Sequence, residues 1–298
     1  MSSLEIFSPA KINIGLEIGP KRDDQFHEIS SLMVPLQLED SITISIVTSN
    51  EISVRCLSGT KYPYHNLPQD SDNICHRTVT LFLNTFNINS GLTIKITKNI
   101  PVAAGLGGGS SNAASVLMGL NKLFNLKLTI SDLLPIAEKI GSDVPFFLYN
   151  SPAIVEGRGE KITKIELSKP LYVILINPGF PISTADAFSK LDSKLTASTT
   201  GAKPFKLQGI LAFKHSSSPI CLEMLKGVKN CFEEVIFADF PELGEVKGSL
   251  YNLGSDLALM TGSGPTVFAL FSDKLKAGEA YNQLKLLPNW LAFLTRSK

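Results

Sequence analysis

The stretch Pro101-Val102-Ala103-Ala104-Gly105-Leu106-Gly107-Gly108-Gly109-Ser110-Ser111-Asn112 packs four glycines into five positions. Such a backbone takes up positive φ without penalty and lets a ligand approach closely. Apolar residues then recur at helical spacing at Ala113, Val116, Leu117, Leu120, Leu123 and Phe124, so the loop opens into a helix with one buried face. The first free N–H groups of that helix, and the positive end of its dipole, point back into the loop. This combination binds phosphate. A mobile loop is the plainer reading, and the Ser-Ser-Asn helix start argues against it.

The loop is not one of the commonest phosphate motifs. No lysine follows Ser110, so G-x-x-x-x-G-K-[ST] fails. The dinucleotide pattern G-x-G-x-x-G ends here in Ser110, and the nearest acidic candidate, Asp132, sits at a helix start. H-R-D and D-F-G are absent.

Other residues could supply chemistry. Lys11 and Asn13 share one face of an alternating strand, with Ile12, Ile14, Leu16 and Ile18 on the other. Lys11 is either a solvated lysine at the strand's start, near the sheet rim, or a functional cation. Asp143, in Gly141-Ser142-Asp143-Val144-Pro145, is either a helix N-cap or a base. Phe26-His27 follows the polar turn 19–25, and is either an aromatic tucked against the core or a group that stacks on a flat ligand and hydrogen-bonds it. A second backbone-rich turn stands at Thr261-Gly262-Ser263-Gly264. The four cysteines and four histidines match no metal spacing, which points to reduced thiols in a cytoplasmic protein.

The elements that must position these groups follow from periodicity. Strands are expected around Ile42–Ile46, 52–56, 92–96, 153–157, 162–167, 171–176, 258–260, 267–271 and 290–295. Helices are expected at 75–86 after the Ser71-Asp72-Asn73 cap, then after the glycine loop, from Thr129 or Ser131 to Gly141, after Asp143, after Thr184, near 223–232, 241–253 and 274–287. Residues 193–218 form a Ser/Thr/Lys-rich segment with no assigned role. A length of 298 residues suggests two domains, and a net charge of +1 points to neither nucleic acid nor an anionic membrane. No run is long and apolar enough to span a bilayer, and the N-terminus lacks the pattern of a signal peptide.

Together, Ser8-Pro9-Ala10-Lys11-Ile12-Asn13, the glycine loop, Gly141-Ser142-Asp143-Val144-Pro145 and Thr261-Gly262-Ser263-Gly264 stand in the order of the three GHMP kinase motifs. The chain resembles that family (galactokinase, homoserine kinase, mevalonate kinase, phosphomevalonate kinase) over nearly its whole length. The resemblance implies a two-domain α+β fold with the active site in the cleft between domains. Residues 1–167 would form the ATP-binding and catalytic domain, and residues 168–298 a C-terminal domain contributing to substrate binding. It implies ATP on Pro101, Gly105, Leu106, Gly107, Gly108, Gly109, Ser110 and Ser111, with Asn73 and Lys98 near the nucleotide. Asp143 takes the place of the catalytic base and Lys11 that of its activator. Mg²⁺ accompanies ATP, with Ser111 and the nucleotide oxygens as candidate ligands.

Within the family the likeness is greatest to kinases that act on a small molecule with a cytidine diphosphate moiety, a cytidylylated methylerythritol of isoprenoid precursor synthesis. Those kinases sandwich cytosine between a tyrosine of a Tyr-His pair and a phenylalanine. The corresponding residues here are Phe26, His27 and Phe188, so the tyrosine hydroxyl is absent. Asn13 and Thr184 would line the alcohol end. Alternatives are mevalonate or homoserine kinase, or a nucleotide-binding protein without catalysis. The residues leave the oligomeric state open.

Overall fold

The structure, a computed structural model, describes residues 2–59, 67–197, 209–216, 218–286 and 290–298. Much of the unassigned 193–218 segment therefore lies outside the described residues.

Two long strands come first, β1 (Ser3–Lys21) and β2 (His27–Val47). Between them the Arg22 N–H donates to the Phe26 carbonyl at 2.6 Å. Next are β3 (Ile52–Ser58), α1 (Ile74–Thr85), β4 (Gly91–Lys98), α2 (Gly108–Leu123), α3 (Ile130–Ile140), α4 (Val144–Tyr149), β5 (Ala153–Gly157) and β6 (Lys161–Lys164). The chain continues through β7 (Tyr172–Asn177), α5 (Thr184–Ala197), α6 (Glu233–Asp239) and α7 (Pro241–Asn252). It closes with β8 (Leu257–Met260), β9 (Val267–Phe271), α8 (Lys274–Leu284) and β10 (Leu291–Arg296). This mixture of helix and sheet is the α+β composition expected.

The chain divides into two compact units. One holds the N-terminal residues through Ala10, Leu38–Pro101 and Gly107–Asn150; the other holds Lys11–Gln37, Val102–Leu106 and Ser151–Lys298. Because β1 and β2 contribute to both, each unit is discontinuous in sequence.

In the first unit β4 pairs antiparallel with β2 and parallel with β3, so that Ile94 lies opposite both Ile44 and Val54. Alternation buries Ile42, Ile44, Val54, Leu92, Ile94 and Ile96. The helix α2 crosses this layer at Gly119, where a Cβ would come within 2.6 Å of Ile44 Cδ1. Asn73 caps α1 by accepting the Cys75 N–H at 2.9 Å. Thr129 and Asp132 form a reciprocal capping box at α3.

In the second unit β10, β7, β9 and β8 form an antiparallel sheet in that order. Its core joins Ile174, Ile176, Met260, Val267 and Phe271 to Ile236, Leu243, Val246, Leu250, Ala277 and Leu284 of the helices. The early residues of β2 pair with β5, and β5 pairs with β6.

Three expectations need correction. Residues 223–232 are not a helix: a short 3-10 turn, Leu222–Leu225, ends before Gly227, whose φ is +87°. The chain then runs extended beside β1, with Leu16 N–H donating to the Lys229 carbonyl at 2.8 Å and the Cys231 N–H to the Leu16 carbonyl at 2.9 Å. That pairing competes with helix, which starts only at Glu233. The strand expected over 162–167 is Lys161–Lys164. Lys11 does not stand at a strand's start, because β1 begins at Ser3; it is 3% exposed.

Candidate active site

The glycine loop is built by positive φ at Ala103 (52°), Gly105 (76°) and Gly107 (69°). Gly107 stands at the N-cap of α2, and no acidic residue occupies the first turn. The first intrahelical bond runs from Ser111 N–H to the Gly107 carbonyl at 2.9 Å. The N–H groups of Gly108, Gly109 and Ser110 precede it, so they are the donors that a helix leaves for a ligand.

The glycines have different physical reasons. A Cβ on Gly105 would sit 2.3 Å from the Thr261 carbonyl oxygen, so Gly105 is required by close backbone packing on the turn 261–264. A Cβ on Gly109 would meet only Ile74 Cγ2 at 3.9 Å, so Gly109 borders open space. Pro101, Leu106 and Gly108 are buried, and Leu106 uses its carbonyl to accept the Lys11 N–H at 3.0 Å. Ser110 is half-buried, whereas Ser111 is fully buried and accepts from Ser8 Oγ at 2.8 Å. Of the residues expected to hold phosphate, Gly109 is thus exposed, Gly105, Gly107 and Ser110 are half-buried, and the others are buried.

Beneath the start of α2 lies a buried polar cluster. Lys98 Nζ donates to Asp40 Oδ2, and to Asn112 Oδ1 at 3.0 Å. Asp40 Oδ1 accepts the N–H groups of Asn99 and Ile100 at 2.7 and 2.9 Å. Asn112 Nδ2 donates to Ser8 Oγ and to Asp40 Oδ2, each at 2.9 Å. A Cβ on Gly108 would lie 3.2 Å from Lys98 Nζ, so the ammonium sits directly under the loop. Its charge neutralises Asp40, which would otherwise oppose an anion there. Asn73 is likewise occupied: Nδ2 donates to the Pro68 carbonyl at 2.9 Å while Oδ1 caps α1.

A second cluster orders the other motif residues. Lys11 Nζ donates to Asn13 Oδ1 at 2.5 Å. Asn13 Nδ2 donates to Ser31 Oγ at 2.8 Å, and its N–H donates to Thr261 Oγ1 at 3.0 Å. Asn13 is buried; its amide oxygen takes the Lys11 ammonium while its Nδ2 bonds Ser31, so it ties Lys11 to the neighbouring strand and the turn at Thr261. Asn230 Nδ2 braces the same turn by donating to the Met260 and Gly262 carbonyls at 2.7 and 2.8 Å. Sequence reading missed Asn230, Thr261 as a buried link and Asp40, because each acts on residues remote in the chain.

Asp143 occupies the N-cap position of α4, but its side chain makes no capping bond. A cap bonds the second or third helical N–H, and here Pro145 removes the second. The half-buried carboxylate is therefore not explained as a cap.

Among the residues expected to bind substrate, His27 is 8% exposed and stacks on Phe188 with ring centroids 4.8 Å apart. Phe26 is 46% exposed, under the Arg158 guanidinium at 5.3 Å. Thr184 Oγ1 lies 2.8 Å from Ser263 Oγ. The stacking partner of Phe188 in this structure is thus His27.

The cysteines among the described residues are thiols, and burial pushes Cys56, Cys75 and Cys231 up from the ordinary thiol range. Among the described residues no three His, Cys, Asp or Glu side chains group as a metal cage. Ser111, the side chain expected to meet Mg²⁺, is buried with its hydroxyl bonded to Ser8 Oγ, so a metal arriving with a nucleotide would be held mainly by phosphate oxygens and water. No helix among the described residues is long and apolar enough to cross a membrane.

Comparison with known proteins converges on one family. Residues 73–151 match the GHMP kinases N terminal domain, and residues 215–288 match the GHMP kinases C terminal domain. A protein of Syntrophotalea carbinolica named 4-diphosphocytidyl-2-C-methyl-D-erythritol kinase is 40% identical over 286 residues, 96% of each chain. One of Geobacter metallireducens with the same name is 36% identical over 297 residues, covering 100% of this chain and 99% of its own. A crystal structure of 4-(cytidine 5'-diphospho)-2C-methyl-D-erythritol kinase aligns with a TM-score of 0.74 at 29% identity, over 99% of this chain and 100% of that one. An L. major mevalonate kinase aligns with a TM-score of 0.76 over 100% of this chain and 96% of its own, at 14% identity, which bears on the fold alone.

Proposed function

The chain belongs to the GHMP kinase family, and on that premise we propose that it transfers the γ-phosphoryl group of ATP to the 2-hydroxyl of 4-diphosphocytidyl-2-C-methyl-D-erythritol, in the non-mevalonate route to isoprenoid precursors. The full-length likeness to relatives named for that substrate carries the assignment.

The donor binds where the first N–H groups of α2 converge, at Gly108, Gly109 and Ser110, with the helix dipole favouring the phosphates. Lys98 holds Asp40 neutralised beneath them. Mg²⁺, bound with ATP, supplies charge neutralisation at the β and γ phosphates. An alcohol is a weak nucleophile, and in this reading the Asp143 carboxylate accepts its proton as the phosphoryl group transfers. Lys11, oriented by Asn13, favours the ionised carboxylate and steers the hydroxyl. Phe26, His27 and Phe188 bind the cytosine, and Thr184 lies toward the alcohol. Residues 1–167 serve ATP and catalysis, and residues 168–298 add substrate contacts. Four free thiols, two of them buried, accord with a cytoplasmic setting.

A phosphoryl-transfer assay on the cytidylylated alcohol, run beside mevalonate and homoserine, tests this. Turnover on the first alone is expected. Preference for either of the others would reassign the substrate, and ATP consumption with none of them would mark a nucleotide-binding protein without catalysis.

A further inference from the structure

Thr184, Phe188 and Asp192 recur every four residues along α5, which puts them on one helix face. The Thr184 hydroxyl meets Ser263, the Phe188 ring stacks on His27, and Asp192 Oδ1 lies 2.7 Å from His27 Nε2. Neither Asp192 nor its bond to His27 is evident from the motifs.

We infer that Asp192 is a positioning residue that sets base selectivity: it holds His27 with the proton on Nε2, leaving Nδ1 to accept from the exocyclic amine of cytosine. The inference rests on the reading of Phe26, His27 and Phe188 as the base-binding group.

An ionised carboxylate only accepts, so the nitrogen facing it carries the proton. In the neutral ring the other nitrogen is then an acceptor. Among the described residues no hydrogen bond engages Nδ1. The ring is also held in place: its plane lies 21° from that of Phe188, and Phe188 is pinned edge-on by Phe232 at 4.9 Å and 89°. Rotation of the imidazole to exchange its nitrogens would forfeit the bond to Asp192.

The consequence is a directional contact. Cytosine presents an amine donor at its 4-position, whereas uracil presents a carbonyl acceptor there. A fixed acceptor on the protein pairs with the first and opposes the second. Leaving a desolvated polar group opposed costs more than the bond itself contributes, which is how a single hydrogen bond discriminates. Without the carboxylate, the imidazole is free to move its proton to Nδ1 and donate to uracil.

The test compares CDP and UDP binding by calorimetry on the full chain, in the wild type, Asp192→Ala and Asp192→Asn. Imidazole ¹⁵N shifts report the tautomer in the same samples. The Asp192 side chain is 38% exposed, so its removal does not empty a core site. The wild type is expected to favour CDP by about tenfold or more, a typical net effect of one hydrogen bond. Asp192→Ala should bring the ratio near unity and give mixed tautomers. Asp192→Asn, whose amide oxygen still accepts from Nε2, should keep most of the preference. A wild type indifferent to the base, an Asp192→Ala variant with undiminished preference, or a wild-type ring protonated on Nδ1 alone would each overturn the inference. Base preference that depends on Asp192, in a protein that does not phosphorylate the methylerythritol substrate, would refute the proposed reaction and leave this inference standing.

Discussion

Lys11 and Asn13 stand two residues apart on one face of β1, and the ammonium of the first is held by the amide oxygen of the second at 2.5 Å. Both are buried. The pair is tied through Thr261 to the Gly105 carbonyl at 3.3 Å, so the N-terminal motif, the glycine loop and the last motif share one polar chain. Asn13→Leu should therefore leave Lys11 present but misdirected. Because small misplacements of catalytic groups slow reactions by about 10²-fold, a loss of that order in kcat is expected. An unchanged kcat would show that Lys11 does not depend on Asn13.

Asp143→Asn keeps the size of the side chain and removes its ability to take a proton. Loss of a positioned base lowers kcat by about 10²–10⁴-fold. ATP affinity, measured by equilibrium binding, should be retained. Near-normal turnover would remove Asp143 from catalysis.

Gly105→Ala and Gly109→Ala should separate two roles within one loop. At Gly105 the left-handed backbone alone penalises alanine by about 1–2 kcal/mol, and the Thr261 carbonyl lies where the Cβ would go. Urea unfolding should show the loss, together with weakened ATP binding. At Gly109, inside α2 and next to open space, alanine should stabilise the helix by about 0.5–1 kcal/mol while its methyl obstructs the phosphates. A higher unfolding midpoint with a higher KM for ATP is the expected signature.

Lys98→Met strands the Asp40 carboxylate in the interior. Breaking a buried pair from one side costs about 3–5 kcal/mol, readable as a shift in the denaturation midpoint. Lys98→Met combined with Asp40→Leu should recover part of the loss, because no buried charge then remains. Failure of the second substitution to recover anything would mean that Asp40 matters mainly through its bonds to Asn99 and Ile100.

Local pattern in the chain determined a large part of this. The alternation at Ile42–Ile46 and Leu92–Ile96, the Asn73 cap and the Thr129 helix start are short-range preferences, and they formed as the residues predict. The glycine loop leads straight into α2, as its residues predict, because glycine spacing and a helix N-terminus are contiguous in the chain. Tertiary structure decided the rest, wherever distant residues compete with or complete a local preference. Pairing with Leu16 drew residues 229–231 away from helix, and the extension of β1 back to Ser3 carried Lys11 from an expected rim into the interior. Asp40 and Lys98 are 58 residues apart, and His27 and Asp192 are 165 apart. Neither bond has a sequence period, because each depends on where separate strands and helices come to rest. The loop could be read as a phosphate site from its own residues, but which of its glycines borders open space and which packs on Thr261 was set only when the chain folded back on itself.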